Sequence, residues 1–242
     1  DIFDTLPPPT PSNISRVNNS VYRSAGSMAL PPAPVSMAVF NDPDGGCFTG
    51  DSVILLANGS KKLVKDLVKG DRVMTLRDPY GIKTGLSTAN VVCILKTITT
   101  GNIKLTTTKK GLKITPWHPI ISHGIWCYPG NVFETKVETC DEIYTILLDK
   151  GFTFNLNGHW VIGIGHNYTL GILAHEYFGT DNIVKDLQAN PGWNTGFVVI
   201  NSSQYIRDCF SNDIIGINKT VSNQNSCIMS HTISNQQMML TA

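Results

Sequence analysis

Three stretches of the 242-residue chain hold side chains whose types and spacing suit peptide-bond chemistry. The first is Asp44-Gly45-Gly46-Cys47-Phe48-Thr49-Gly50-Asp51. The second is Thr115-Pro116-Trp117-His118-Pro119. The third runs Asn157-Gly158-His159-Trp160-Val161-Ile162-Gly163-Ile164-Gly165-His166-Asn167. A cysteine preceded by two glycines puts a nucleophile beside backbone that can be approached closely. Its thiol, with a free pKa of roughly 8.5, must lose a proton before it attacks. A histidine titrates near neutral pH, so both of its protonation states are accessible. A threonine hydroxyl can hold a peptide group by hydrogen bonding. Singly, each residue has a plainer explanation. Cys47 fits a small buried filler, and Gly45-Gly46 fits a hinge. Trp117 and His118 fit packing residues, and His166-Asn167 fits a tight turn.

These stretches need a scaffold, and the chain between them reads as β. Short apolar runs at Ser52–Leu56, Lys62–Leu67, Arg72–Leu76, Val91–Ile98 and Ile103–Thr108 alternate with turn signals. Further strands are expected at Leu112–Thr115, Pro119–Ser122, Tyr144–Leu148, Thr153–Leu156 and His159–Ile164. Asn157-Gly158 predicts a tight hairpin, because both residues tolerate positive φ. Asp71 suits a turn before a strand. One helix is expected after Thr180, which can cap it, with Asp181 at its positive end and Ile183, Val184 and Leu187 on one face. Pro191-Gly192 ends it.

The ends differ in composition. Eight of the 13 prolines precede Cys47, so residues 1–40 read as a linker or surface strap. In residues 211–242, 16 of 32 side chains are Ser, Thr, Asn or Gln, which makes 209–242 a polar tail. The folded unit is expected within about 41–208. With 19 basic and 18 acidic side chains the formal net charge is +1, which excludes a broad basic surface for nucleic acid. Charged residues are 15%, below the roughly 25% of ordinary soluble domains. No apolar run approaches the roughly 18 residues of a membrane span. The chain begins at Asp1 without an initiator Met, so it reads as a piece of a longer protein or a processed product. The six cysteines form no CxxC pair, and their number alone neither assigns nor excludes disulfides.

Taken together and in order, the motifs resemble the Hint superfamily, the self-processing domain shared by hedgehog C-terminal regions, inteins and bacterial intein-like proteins. Cys47-Phe48-x-Gly50-Asp51, Asn58-Gly59-Ser60, Gly70-Asp71-x-Val73 and Thr115-x-x-His118-Pro119 carry the resemblance. Tyr144, Leu147, Phe152, Asn157-Gly158 and the His166-Asn167 pair complete it over about 120 residues. His175-Glu176-Tyr177-Phe178-Gly179-Thr180 and Pro191-Gly192-Trp193 are similar to the extension of the Vint branch, found with von Willebrand type A modules. The resemblance implies an all-β, horseshoe-like fold with a core at 41–167 and a small helix-bearing extension at 168–208. It implies that Cys47 attacks the Gly46 carbonyl, turning the Gly46–Cys47 amide into a thioester. His118 would then protonate the departing amine and Thr115 would hold the scissile peptide. The substrate is the chain's own N-terminal polypeptide, released by water or another small nucleophile.

Other outcomes follow from departures. Splicing needs Cys, Ser or Thr after the terminal Asn, but Tyr168 follows Asn167. Intein-like cleavage at Asn167 and an inactive interaction module remain alternatives. A papain-like protease would need Cys47 at a helix start, where a β run follows instead. Hedgehog domains use a second late cysteine, a position Cys127 does not match. His159, His166 and His175, with Glu176, are spaced by seven and nine residues, wider than short zinc pairs, so no metal or cofactor is expected. Self-directed chemistry needs only a monomer. Sequons at Asn13, Asn18, Asn58, Asn167, Asn201 and Asn218 do not establish secretion in so Asn-rich a chain.

Overall fold

The computed structural model describes residues 46–78 and 85–218. The expectations for residues 1–40, Asp44, Gly45, Cys227, Asn13, Asn18 and the stretch beyond 218 lie outside the described residues. Within them the chain is all-β with one α-helix. The strands before the helix are β1 (Phe48–Thr49), β2 (Val53–Leu55), β3 (Lys61–Leu63), β4 (Arg72–Leu76), β5 (Leu86–Thr107), β6 (Lys113–Ile114), β7 (Ile120–Ser122), β8 (Ile125–Cys127), β9 (Thr135–Leu148), β10 (Thr153–Leu156) and β11 (His159–Ile162). Helix α1 (Asp181–Gln188) follows, then β12 (Phe197–Asn201), β13 (Tyr205–Arg207) and β14 (Ile214–Ile217).

Two long strands form the spine. β5 and β9 pair antiparallel from Val91↔Leu148 to Thr106↔Thr135. β1 and β6 lie between their edges in the order β5-β6-β1-β9, and β9 returns to β5, so the path closes on itself. A strand of two residues would not hold by itself. β1 holds because both of its edges are hydrogen-bonded, to Ile114 on one side and to Ile143 and Tyr144 on the other. The second sheet runs β3-β2-β10-β11-β7-β8, and β13 pairs only with β14. Asn157 and Gly158 take φ of 48° and 78° at the β10–β11 hairpin, as their dipeptide predicted.

Several elements differ from the expected ones. The stretch from Lys62 to Leu67 leaves the sheet at Leu63 and tightens into a 3-10 turn at Val64–Asp66, whose amides bond back to Ser52 and Gly50. Val91–Ile98 and Ile103–Thr108 are one strand, not two. The break at Thr99-Thr100-Gly101 is a register shift, with Gly101 at φ 103°, and no turn forms. β9 begins nine residues before Tyr144, in polar sequence that paired edges and ion pairs such as Lys113–Glu138 (2.6 Å) keep in the sheet. β8 was not foreseen; His123 and Gly124, at φ 51° and 79°, turn it back on β7. Ile214–Ile217, inside the polar stretch after 209, pairs with Tyr205–Arg207.

The buried residues form three clusters. The first joins Phe48, Ile54, Ile94, Ile114, Ile146, Phe154 and Val161 across the two sheets. The second packs Leu95, Leu147 and Ile164 against Phe178, Ile183, Leu187, Val198 and Ile214. Thus α1 closes over the other face of the β5–β9 spine. Thr180 caps it by accepting the Asn182 N–H (3.3 Å), and Ile183 and Leu187 are its buried positions. The third cluster is small: Cys47, Ile103, Leu105 and Ile143.

Gly163 follows β11 where the two sheets meet. A Cβ there would stand 2.8 Å from the Ile146 carbonyl oxygen and 3.2 Å from the Phe154 ring. Gly163→Ala therefore lowers the unfolding free energy by about 1–3 kcal/mol. A drop in the denaturant midpoint at unchanged slope checks this.

Candidate active site

Cys47 immediately precedes β1, and Thr115 immediately follows β6, so the sheet register brings them together. The contact is reciprocal. The Cys47 N–H donates to Thr115 Oγ1 (3.0 Å), and the Thr115 N–H donates to the Cys47 carbonyl (2.8 Å). The Thr115 hydroxyl donates to that carbonyl as well (3.1 Å). The Gly46–Cys47 peptide is thus held on its amine side by one buried hydroxyl. Cys47 itself is 1% exposed.

Pro116 and Pro119 carry the loop from Thr115 to β7, and the His118 N–H bonds back to Thr115 O. His118 is 2% exposed, with its ring against Phe48 at 5.7 Å. Its Nε2 donates to the Ile162 carbonyl (2.7 Å); a carbonyl only accepts, so Nε2 carries the proton. Nδ1 then bears the lone pair, and it has no hydrogen-bond partner. It faces Gly46, where an added Cβ would stand 3.4 Å away. Burial lowers the His118 pKa to about 4, against the carbonyls of Ile162 and Gly46, which raise it. The resting imidazole is therefore neutral, with an open lone pair aimed at Gly46.

A cavity of about 40 Å³ adjoins that peptide. Gly46, Trp117 and His118 line one side, and Ile162–Ile164, His166 and the segment 172–175 line the other. His166 accepts the Tyr168 N–H at Nδ1 (3.0 Å) and stacks on the Tyr168 ring. His175 accepts two backbone N–H groups at Nδ1, from Tyr177 (3.2 Å) and Phe178 (3.1 Å). Burial lowers both pKa values to about 4. Protonating Nδ1 of either ring would break those bonds, which adds to the burial cost.

The other sequence-selected residues lie elsewhere. Asn167 is exposed at φ 57°; its N–H bonds Gly179 O and its amide donates to Asp181 (2.9 Å) at the start of α1. Asp71 pairs with Lys62 (2.7 Å) and accepts the Val68 N–H in the turn before β4. Cys127 is half-buried on β8, and burial raises its pKa. Asn167, Asp71 and Cys127 do not line the cavity. His159 lies apart, with its ring near Phe133, so the histidines that share one site are His118, His166 and His175. Among the described residues no group of three or more His, Cys, Asp or Glu could hold a metal, and the described cysteines form no disulfide. Sequence spacing grouped His175 with His159 and His166 and did not place it in one cavity with Gly46.

The model of the Vint Hint-domain family matches residues 46–216. Among solved structures, a DnaB intein from Synechocystis sp. PCC 6803 is 19% identical, with a TM-score of 0.40, and covers 49% of this chain and 99% of that one. The bacterial intein-like domain from Clostridium thermocellum is 17% identical, with a TM-score of 0.41, and covers 48% of this chain and 98% of that one. No curated protein matches.

The three site histidines make stability depend on pH. Each folded pKa, about 4, lies below the ordinary 6.5. The unfolded chain therefore binds more protons between those values, and stability falls as pH drops through that window. Each histidine adds a slope of up to about 1.4 kcal/mol per pH unit. Denaturant midpoints measured from neutral pH downward check this, and His166→Gln flattens the slope.

Proposed function

The chain belongs to the Vint family of Hint domains, and from that premise we propose that it cuts its own backbone at Gly46–Cys47 by an N–S acyl shift. The observation that carries the reading is the pairing of two groups on one peptide. Thr115 Oγ1 holds the Cys47 amide, and the unpartnered Nδ1 of His118 faces Gly46.

The steps follow from the protonation states. His118 rests neutral, so Nδ1 first accepts the Cys47 thiol proton. The sulfur then bonds to the Gly46 carbonyl carbon, and the carbonyl pair moves onto oxygen. A pKa lowered to about 4 makes the imidazolium a strong acid. It returns its proton to the Cys47 nitrogen as the C–N bond breaks. The products are a Gly46 thioester on Cys47 Sγ and a free Cys47 amine. Thr115 keeps the peptide plane from turning while the nitrogen changes from amide to amine.

Water resolves the thioester. The cavity beside Gly46, about 40 Å³, has room for a water. Its attack leaves a carboxylate on Gly46 and returns the thiol to Cys47. A second cavity of about 310 Å³ shares Ala174 and His175 with the first as lining residues. The reaction is intramolecular, so a monomer suffices, and the near-neutral chain needs no charged patch to attract a substrate.

The test is incubation of the purified chain with dithiothreitol, followed by mass. A fragment beginning at Cys47 is expected, and its absence across a range of pH sinks the reading. Cys47→Ala abolishes the fragment. His118→Ala slows it at least about 10²-fold, the weight of a proton-transfer residue. Thr115→Val slows it roughly tenfold, the weight of one buried hydrogen bond.

A further inference from the structure

One polar group beside the nucleophile has no task in the steps above. Thr145, on β9, is fully buried, and its Oγ1 has no hydrogen-bond partner. A hydroxyl enclosed without a partner costs stability, and valine would fill the same volume without that cost. The register places it. β1 pairs with β9 through Thr49↔Ile143 and Phe48↔Tyr144, so one step further sets Cys47 opposite Thr145. Residues opposite each other in an antiparallel pair share a face, as do residues two apart on one strand. Ile143 shares the Thr145 face and belongs to the cluster that holds the Cys47 side chain. Two residues onward, Leu147 packs with Ile164 and Phe178, which also line the cavity at Gly46. Thr145 therefore sits on β9 between Ile143, of the Cys47 cluster, and Leu147, whose neighbours line the cavity.

We propose that the Thr145 hydroxyl is a catalytic hydrogen-bond donor to Cys47 Sγ, stabilising the thiolate once His118 has taken its proton. The inference rests on the acyl-shift reading. A thiol accepts hydrogen bonds weakly and a thiolate strongly. The donor is thus idle in the resting chain and engaged as charge builds on sulfur, and its cost is borne in the ground state. No other chemistry is asked of it. The Thr145 O–H proton stays on oxygen throughout.

Cys140 is the other group packed near the Cys47 cluster. The β1–β9 register sets Thr145, not Cys140, opposite Cys47.

The full chain is compared with Thr145→Val, Thr145→Ala and Thr145→Ser in three readings. These are dithiothreitol-induced release of the fragment beginning at Cys47, thermal stability, and titration of the Cys47 thiolate by its ultraviolet absorbance, taken as the difference from Cys47→Ala. Thr145→Val is expected to melt at or above the unmodified chain, to cleave at least tenfold more slowly, and to titrate about one pKa unit higher. Thr145→Ser, which keeps the hydroxyl, is expected to restore rate and titration. Thr145→Ala is expected to repeat the valine result, and it decides the matter if the valine chain does not fold. Unchanged cleavage and titration in the valine or alanine chain overturn the proposal, and so does a serine chain as slow as valine. If no chain cleaves but the titration still moves with the hydroxyl, the donor role stands and the acyl-shift reading falls.

Discussion

The reciprocal hydrogen bonds between Cys47 and Thr115 hold the site together. They exist because β1 is wedged between β6 and β9, inside a strand path that closes through the β5–β9 pair. A two-residue strand has almost no stability of its own. Its position depends on what its neighbours supply on both edges. The peptide before Cys47 is therefore presented by the whole sheet, and a shift of one residue in the β1–β9 register would turn the Cys47 side chain to the other face.

Burial sets the chemistry on that frame. His118, His166 and His175 are kept neutral mainly by desolvation, and backbone groups decide which ring nitrogen carries the proton. Only His118 presents an unpartnered lone pair toward Gly46. A buried neutral base becomes a strong acid on gaining a proton, which is what the proposed acyl shift asks of one imidazole in its two halves. The same burial costs stability in acid, so the chain trades breadth of pH range for a base of defined direction.

The extension after Asn167 is part of the site wall. Residues 172–175 and Phe178 line the cavity, and Phe178 joins the cluster that seats α1 on Leu147 and Ile164. Packing that stabilises the helix thus also shapes the space beside Gly46. Asn167, at the seam, is held by Gly179 and Asp181.

The sequence by itself determined the all-β class, the Asn157-Gly158 hairpin, the capped helix and the nomination of Cys47, Thr115 and His118. The first three are carried by local properties: short apolar runs between turns, a turn dipeptide that takes positive φ, and a capping hydroxyl; the nomination is carried by motifs whose order along the chain resembles the Hint superfamily. Only the tertiary structure decided that Val91–Ile98 and Ile103–Thr108 form one strand. It also decided that His175 joins His118 and His166 while His159 does not, and that Thr145 is sealed in without a partner. Those facts depend on strand register and on exclusion of water. Both arise from contacts between segments far apart in the chain, so spacing along it does not encode them.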